Sequence, residues 1–186
     1  MLKFWVFMIF LAAVSVWDGK TKKIPNWLIV GGATVGILFG GAGMAWNGMG
    51  EVPGIVPGAA LAALRMFTAV LPGLALYRFR MVGAGDVKLA AVIVGVMGYG
   101  AGGAGILAGL CLGAVWALVR MVRRGIMRRR FCYLIGYVRR VLLTGEIEAY
   151  YDRSRDGEEA VIPLGVCLAV GAAAVAVVWC LLAKGD

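Results

Sequence analysis

Long apolar blocks dominate this chain of 186 residues and restrict the folds that it can adopt. Hydrophobic residues make up 62% of the sequence, and they are gathered in blocks long enough to cross, or nearly cross, a bilayer. Within lipid, only α-helices and closed β-barrels satisfy every backbone hydrogen bond. Because the blocks lack the alternation of barrel strands, the sequence predicts an all-α, polytopic integral membrane protein.

About six transmembrane helices are predicted, in a single membrane-embedded domain that covers residues 1–186. The 29 glycines suit this arrangement, since small residues let the backbones of membrane helices approach closely. A cleaved signal peptide is the alternative for the first block, but no small-x-small site precedes Trp17 and further blocks follow at once. The predicted spans are approximately 2–17, 27–46, 55–77, 87–99, 104–119 and 161–183, and residues 120–160 form the longest predicted loop.

The net charge of +9 is distributed unevenly over the predicted loops. Lys20, Lys22, Lys23, Arg78, Arg80, Lys88 and the arginines between positions 120 and 155 all fall on one side of the membrane. The positive-inside rule therefore predicts that this side is cytoplasmic and that both termini lie outside. The basic segment 120–140 is interpreted as lying on anionic lipid head groups. Contact of this segment with the substrate and binding of nucleic acid are less favoured alternatives.

Two carboxylates, Asp18 and Asp86, are predicted at the cytoplasmic ends of the first and fourth spans. Two such groups brought together in a low-dielectric site do not both ionise easily, so they share a proton and can act as a base and an acid. Gly83 and Gly85, which lack Cβ atoms, permit a sharp turn and a close approach beside Asp86. The structural alternative makes both acids topological flank residues or helix caps. That alternative does not explain Asp18, which is predicted at a helix C-terminus, where the helix dipole disfavours an acid.

Arg65 and the cysteines are the other residues that draw attention. Arg65 lies in the middle of the third block, and it either faces a polar cavity or marks a span displaced toward an interface. Cys111, Cys132, Cys167 and Cys180 form no CxxC pair, and the chain has no histidine, so neither a metal nor an organic cofactor is predicted.

Two motifs carry a resemblance to a known family. Asp18-x5-Ile24-Pro25-Asn26 and Gly83-x-Gly85-Asp86-x-Lys88 resemble the prepilin peptidase family of GxGD intramembrane aspartic proteases, also called type IV leader peptidases. The resemblance implies that Asp18 and Asp86 are the catalytic acids. It gives supporting roles to the remaining motif residues, Gly83, Gly85, Lys88, Pro25 and Asn26.

The resemblance also implies a substrate and a location. Such an enzyme is a hydrolase of the bacterial inner membrane that cuts the short basic leader from type IV pilin-like precursors at the cytoplasmic face. The chain lacks the CxxC-bearing loop of larger, methylating members, so it looks like the short, peptidase-only branch that serves Flp/Tad-type pili. Residues Ile162-Pro163-Leu164-Gly165 loosely resemble a late proline–glycine segment of the family, and a packing role is the alternative for them.

Other functions are weighed against this one. A presenilin-like protease also uses GxGD, but it would have a Tyr-Asp motif, and here Trp17 precedes Asp18. A small transporter or proton-relay protein would place carboxylates deep within its spans. A non-catalytic pilus-assembly scaffold would not depend on either Asp.

Overall fold

The computed structural model describes residues 2–22, 24–41, 55–78, 82–125 and 163–182, together with the pairs 132–133, 135–136, 139–140 and 142–143. Its continuous elements are all α-helices, and the described residues contain no β-strand, which confirms the predicted fold class. The helices, labelled here in chain order, are α1 (Leu2–Thr21), α2 (Asn26–Gly41), α3 (Ile55–Arg78), α4 (Ala84–Arg123) and α5 (Leu164–Leu182).

Four of these helices, α1, α3, α4 and α5, are long and apolar enough to cross a membrane. The apolar part of α2, Asn26–Phe39, is shorter. The chain is therefore a membrane protein by the length and composition of its helices, while the count of six spans stays a prediction. Residues 42–54, 79–81, 126–131, 144–162 and 183–186 lie outside the described part of the chain, and with them most of the predicted loop 120–160 and the ends of two predicted spans.

The helix boundaries differ from the sequence prediction at the membrane edge. A polar loop was expected from Asp18 onward, but α1 continues for one more turn to Thr21. It ends where Lys22 adopts a positive φ of 52° and its N–H donates to the Asp18 carbonyl at 2.8 Å. At the other boundary, α4 extends to Arg123, so Arg120 and Arg123 belong to a helix rather than to the loop.

Gly98 divides α4 into two helical segments. Its backbone has φ 81° and ψ 173°, a conformation essentially reserved for glycine. After this break the chain folds back on itself, since a Cβ added to Gly102 would lie only 2.9 Å from the Cα of Val94. Residues eight apart in a straight helix are separated by about 12 Å. Between the predicted spans 87–99 and 104–119 the structure thus has a break at Gly98 alone, and residues 99–103 are already helical.

Arg65 lies beside this break. Its Nη1 atom is 3.8 Å from the position that a Cβ of Gly98 would occupy. A helix break leaves backbone carbonyl groups without intrahelical partners, so the guanidinium lies next to polar backbone rather than against lipid alone. The Arg65 Nε atom is itself buried and has no hydrogen-bond partner within the described part of the chain.

The core joins α1, α4 and α5. Leu11 and Val14 of α1 pack in one buried cluster with Leu89 and Ile93 of α4 and with Leu168 of α5. The second half of α4 then packs closely along α5: a Cβ on Gly109 would lie 2.6 Å from the Cα of Leu168. This packing fixes the N-terminus of α5 relative to the ends of α1 and α4 that carry Asp18 and Asp86.

Candidate active site

Asp18 lies in the last turn of α1, and only 4% of its surface is exposed. Its Oδ2 atom accepts a hydrogen bond of 3.1 Å from the backbone N–H of Val166, in the first turn of α5. The side chain therefore leaves its own helix and meets the beginning of another.

The sequence explains why α5 begins at this point. Pro163 precedes the first helical residue, Leu164, and its carbonyl accepts from the Cys167 N–H at 3.5 Å. The first amides of a helix have no intrahelical partner, and the positive end of the helix dipole attracts an anion there. An acid in the last turn of α1 is unfavourable within α1 itself, but the N-terminus of α5 offsets that cost.

Asp86 is the third residue of α4. The helix begins after Gly83, whose carbonyl accepts from the N–H of Asp86 at 3.1 Å and from the N–H of Val87 at 3.2 Å. Gly83 is thus the N-cap and Asp86 stands three residues after it, the position from which an acidic side chain can reach back to the N-cap N–H in a capping box. A Cβ on Gly83 would lie 2.9 Å from Oδ2 of Asp86. A capping role for Asp86 is thus present, and it does not exclude a chemical one.

Ile24 connects the surroundings of the two carboxylates. A Cβ on Gly85 would lie 3.3 Å from the Cβ of Ile24, and a Cβ on Gly165 would lie 2.9 Å from its Cδ1. Because Gly165 lies against the Asp18 carboxylate and Gly85 immediately precedes Asp86, Ile24 lies between the surroundings of the two acids. The structure therefore brings together two acids that are distant in the sequence.

The backbones that carry these acids stay apart. No Cα atom of α1 lies within 8 Å of a Cα atom of α4, although both helices contribute to the same buried cluster. The carboxylates therefore converge from two helices that are not direct neighbours.

The other motif residues surround the same end of the helices. The Nζ atom of Lys88 donates to Oδ1 of Asn26 at 2.9 Å, which ties the first turn of α2 to the first turns of α4. The Pro25 carbonyl accepts from the Leu28 N–H at 3.2 Å and starts α2. Gly83, Gly85, Pro25, Asn26 and Lys88 therefore all lie around Asp86 or on the adjoining end of α2.

Two tryptophans lie at the level of Asp18. Trp17 and Trp27 pack edge to face with ring centroids 5.6 Å apart, and they are 43% and 62% exposed. Exposed tryptophans gather where a membrane meets water. Trp17 directly precedes Asp18, so this pair of tryptophans lies beside the acid.

Comparison with known proteins places the chain in a family. The sequence profile described as the type IV leader peptidase family matches residues 5–118, which is more than half of the chain. The chain belongs to this family. No curated protein and no solved structure gives a significant match. Membership of the type IV leader peptidase family implies a protease, and the matched stretch contains both Asp18 and Asp86.

Sequence reasoning missed part of the arrangement found in this type IV leader peptidase family member. Ile24 was noted only as a letter of a motif, and Val166 was not singled out. Gly165 had been noticed in a proline–glycine segment, with packing as an equal explanation. The sequence feature that pointed to this position was Gly165 itself, a glycine in the first turn of an apolar helix. A glycine alone does not reveal which acid the helix contacts. Ile162 of the same segment lies outside the described residues.

Metal-binding groups and cysteines add little to the site. In the described part of the chain, no cluster of three or more His, Cys, Asp or Glu residues is arranged to hold a metal ion. Cys111, Cys132, Cys167 and Cys180 are free thiols, and Cys167 is buried within the first turns of α5. Asp18, Asp86 and the amides around them are therefore the groups from which we derive the chemistry.

Proposed function

We propose that this protein is a membrane aspartic endopeptidase that removes the short basic leader from type IV pilin-like precursors. The observation that carries the proposal is the position of Asp18 in the last turn of α1 and of Asp86 in the first turn of α4, both beside Ile24. Membership of the type IV leader peptidase family supports a peptidase. The proposal adds to this the aspartic mechanism, the two catalytic residues and the class of substrate.

The chemistry requires one proton shared by the two acids. The ionised carboxylate takes a proton from a water molecule, whose oxygen adds to the scissile carbonyl carbon, while the protonated acid hydrogen-bonds the carbonyl oxygen. The tetrahedral intermediate then collapses, a proton passes to the leaving nitrogen, and the C–N bond breaks. Because the acids are coupled, their titration belongs to the pair, and neither form is assigned to one residue.

The proposed route of the substrate starts from the ends of α1 and α4 that carry Asp18 and Asp86. An extended peptide at membrane depth must line a polar cavity, because its backbone groups need partners. We propose that the junction between leader and hydrophobic helix enters between these two helices at the cytoplasmic face of a bacterial inner membrane. The exposed Trp17–Trp27 pair beside Asp18 supports a site at a membrane surface.

The remaining motif residues are proposed to support the acids. Gly83 leaves room for the Asp86 carboxylate, and Gly85 leaves room for Ile24. Lys88 and Asn26 hold α2 against α4 through their hydrogen bond, and Pro25 starts α2 at the right position.

The test is cleavage of a type IV pilin-like precursor, chosen from a panel of such precursors and co-expressed with the wild type, Asp18→Asn or Asp86→Asn. Asn keeps the shape of the side chain but cannot take up the catalytic proton, so each variant is expected to accumulate in the membrane and to leave the precursor uncut. Asp152→Asn, in the predicted loop 120–160, is the matched control and is expected to cleave normally. Normal cleavage by either active-site variant, or no cleavage of any precursor by the wild type, would overturn the proposal and favour a transporter or a scaffold.

A further inference from the structure

We infer that the N-terminus of α5 holds the Asp18 carboxylate in position. The Val166 N–H donates to this carboxylate, and Gly165, which has no side chain, leaves room for it. This inference rests on the proposed function, because it assigns residues that hold a catalytic acid in place. Neither residue is part of the two motifs that define the site in the sequence, and both lie beyond the stretch that matches the family.

The hydrogen bond from the Val166 N–H fixes the Asp18 carboxylate. The Val166 N–H is a fixed donor at 3.1 Å from Oδ2, on an acid that is 4% exposed. A free backbone amide in the first turn of a helix has no other intrahelical use. The donor therefore sets the rotamer of Asp18. Because it belongs to the backbone, most side-chain substitutions at position 166 leave it in place.

Position 165 has no side chain, and this leaves room for the Asp18 carboxylate. A Cβ at this position would lie 2.8 Å from Oδ2 and 3.0 Å from Cγ of Asp18. Real Cβ atoms do not approach other atoms so closely, so the carboxylate would have to move. Because the displaced atoms are at the end of a side chain, the helices can stay packed while Asp18 leaves its place.

Ile24 connects Gly165 to the surroundings of the other acid, Asp86. The same Cβ at position 165 would lie 2.9 Å from Cδ1 of Ile24, and Ile24 also touches the position of a Cβ on Gly85, next to Asp86. A change at Gly165 can therefore act through Asp18 or through Ile24. The experiment must separate these two routes.

The decisive pair of variants is Val166→Pro and Val166→Ala, assayed in detergent with a purified pilin-like precursor that the wild type cuts. Proline removes the N–H, and the first turn of a helix tolerates it. Alanine keeps the N–H and serves as the reference for the lost side chain. A displaced catalytic group costs on the order of 100-fold. We expect kcat of Val166→Pro to fall about 100-fold below that of Val166→Ala, with KM unchanged, because Asp18 acts on the reacting bond and not on the leader.

Gly165→Ala provides the second test, with Gly19→Ala as its matched control. A Cβ on Gly19 would make an ordinary contact of 3.9 Å with the Val166 side chain, so this variant is expected to cleave as the wild type does. Gly165→Ala is expected to accumulate, to unfold at the wild-type temperature and to lose about 100-fold in kcat. Adding Ile24→Val removes the Cδ1 atom and relieves only the contact with Ile24, so it is expected not to restore activity.

Each other result contradicts the inference. Restoration by Ile24→Val would assign the effect to the packing of Ile24, and equal kcat for the two Val166 variants would show that the N–H does not position Asp18. A loss in KM alone would indicate a role in binding the leader. In all these cases Asp18→Asn would still be inactive, whereas an active Asp18→Asn would remove the proposed function itself.

Discussion

The Val166 N–H and the Asp18 Oδ2 atom are joined by a hydrogen bond of 3.1 Å between residues 148 positions apart. Through this bond the last helix completes a site whose other parts come from the first half of the chain. An acid that the dipole of its own helix disfavours is placed against a helix end that favours it. The position of Asp18 is therefore a property of the assembled helices and not of α1.

The turn before Asp86 gives the first prediction. A Cβ on Gly83 would lie 2.9 Å from Oδ2 of Asp86, and φ at Gly83 is −71°, so alanine is compatible with the backbone but displaces the carboxylate. Gly83→Ala is expected to fold and to lose on the order of 100-fold in kcat for precursor cleavage.

Gly85→Ala is the internal comparison for that prediction. Its Cβ would meet Ile24 at 3.3 Å, so that Ile24 has to shift by only a few tenths of an ångström, and a smaller loss is expected. An equal loss for the two variants would indicate that the whole turn, and not the carboxylate of Asp86, is sensitive to an added side chain.

Composition and motif spacing were sufficient to predict the helical membrane fold, the break near Gly98 and the two acids. These features are local: apolar length, a glycine-rich stretch, and polar residues at the ends of apolar blocks. The helical structure confirms the predicted fold class, and the profile match confirms the family. The roles of the acids stay a prediction until the variants are assayed.

The partners of the acids could not be predicted, because they depend on how distant helices pack. Nothing near Asp18 in the sequence indicates that it meets Val166, and the sequence alone left Asp18 without a structural reason. The same holds for Arg65, whose place beside Gly98 follows from the packing of α3 on α4. Helix ends were also misplaced at Asp18 and Arg120, since a charged residue does not by itself end a helix at the membrane edge.

The hydrogen bond between Lys88 and Asn26 gives a second prediction. Its Nζ–Oδ1 distance is 2.9 Å and both residues are exposed, so water competes with it and a modest effect is expected. Lys88→Met and Asn26→Ala should each lower kcat/KM by about fivefold, and the double variant should be no worse than either single one, because both remove the same interaction. Multiplying losses in the double variant would show that Lys88 acts on something else, such as the precursor.

Gly98 gives a third prediction, on stability. Its φ of 81° and ψ of 173° lie in a region that other residues rarely occupy, so Gly98→Ala is expected to destabilise the protein by about 1–3 kcal/mol. Thermal unfolding in detergent, followed by circular dichroism, measures the loss. Gly103→Ala is the control, because a Cβ there meets nothing within 4 Å and the helical backbone accepts it. Equal unfolding temperatures for the two variants would mean that α4 does not need the break at this residue.

The orientation of the site in the membrane gives the last prediction. In a variant with Cys111, Cys132, Cys167 and Cys180 replaced by alanine, we expect a membrane-impermeant maleimide to label Lys20→Cys in inverted vesicles but not in intact spheroplasts. Lys20 is exposed and lies two residues after Asp18, on the side that carries most of the positive charge. Gly100→Cys, which is exposed beyond the break at Gly98, should show the opposite pattern. Labelling of Lys20→Cys from outside would place Asp18 on the wrong face for a precursor that has not yet crossed the membrane.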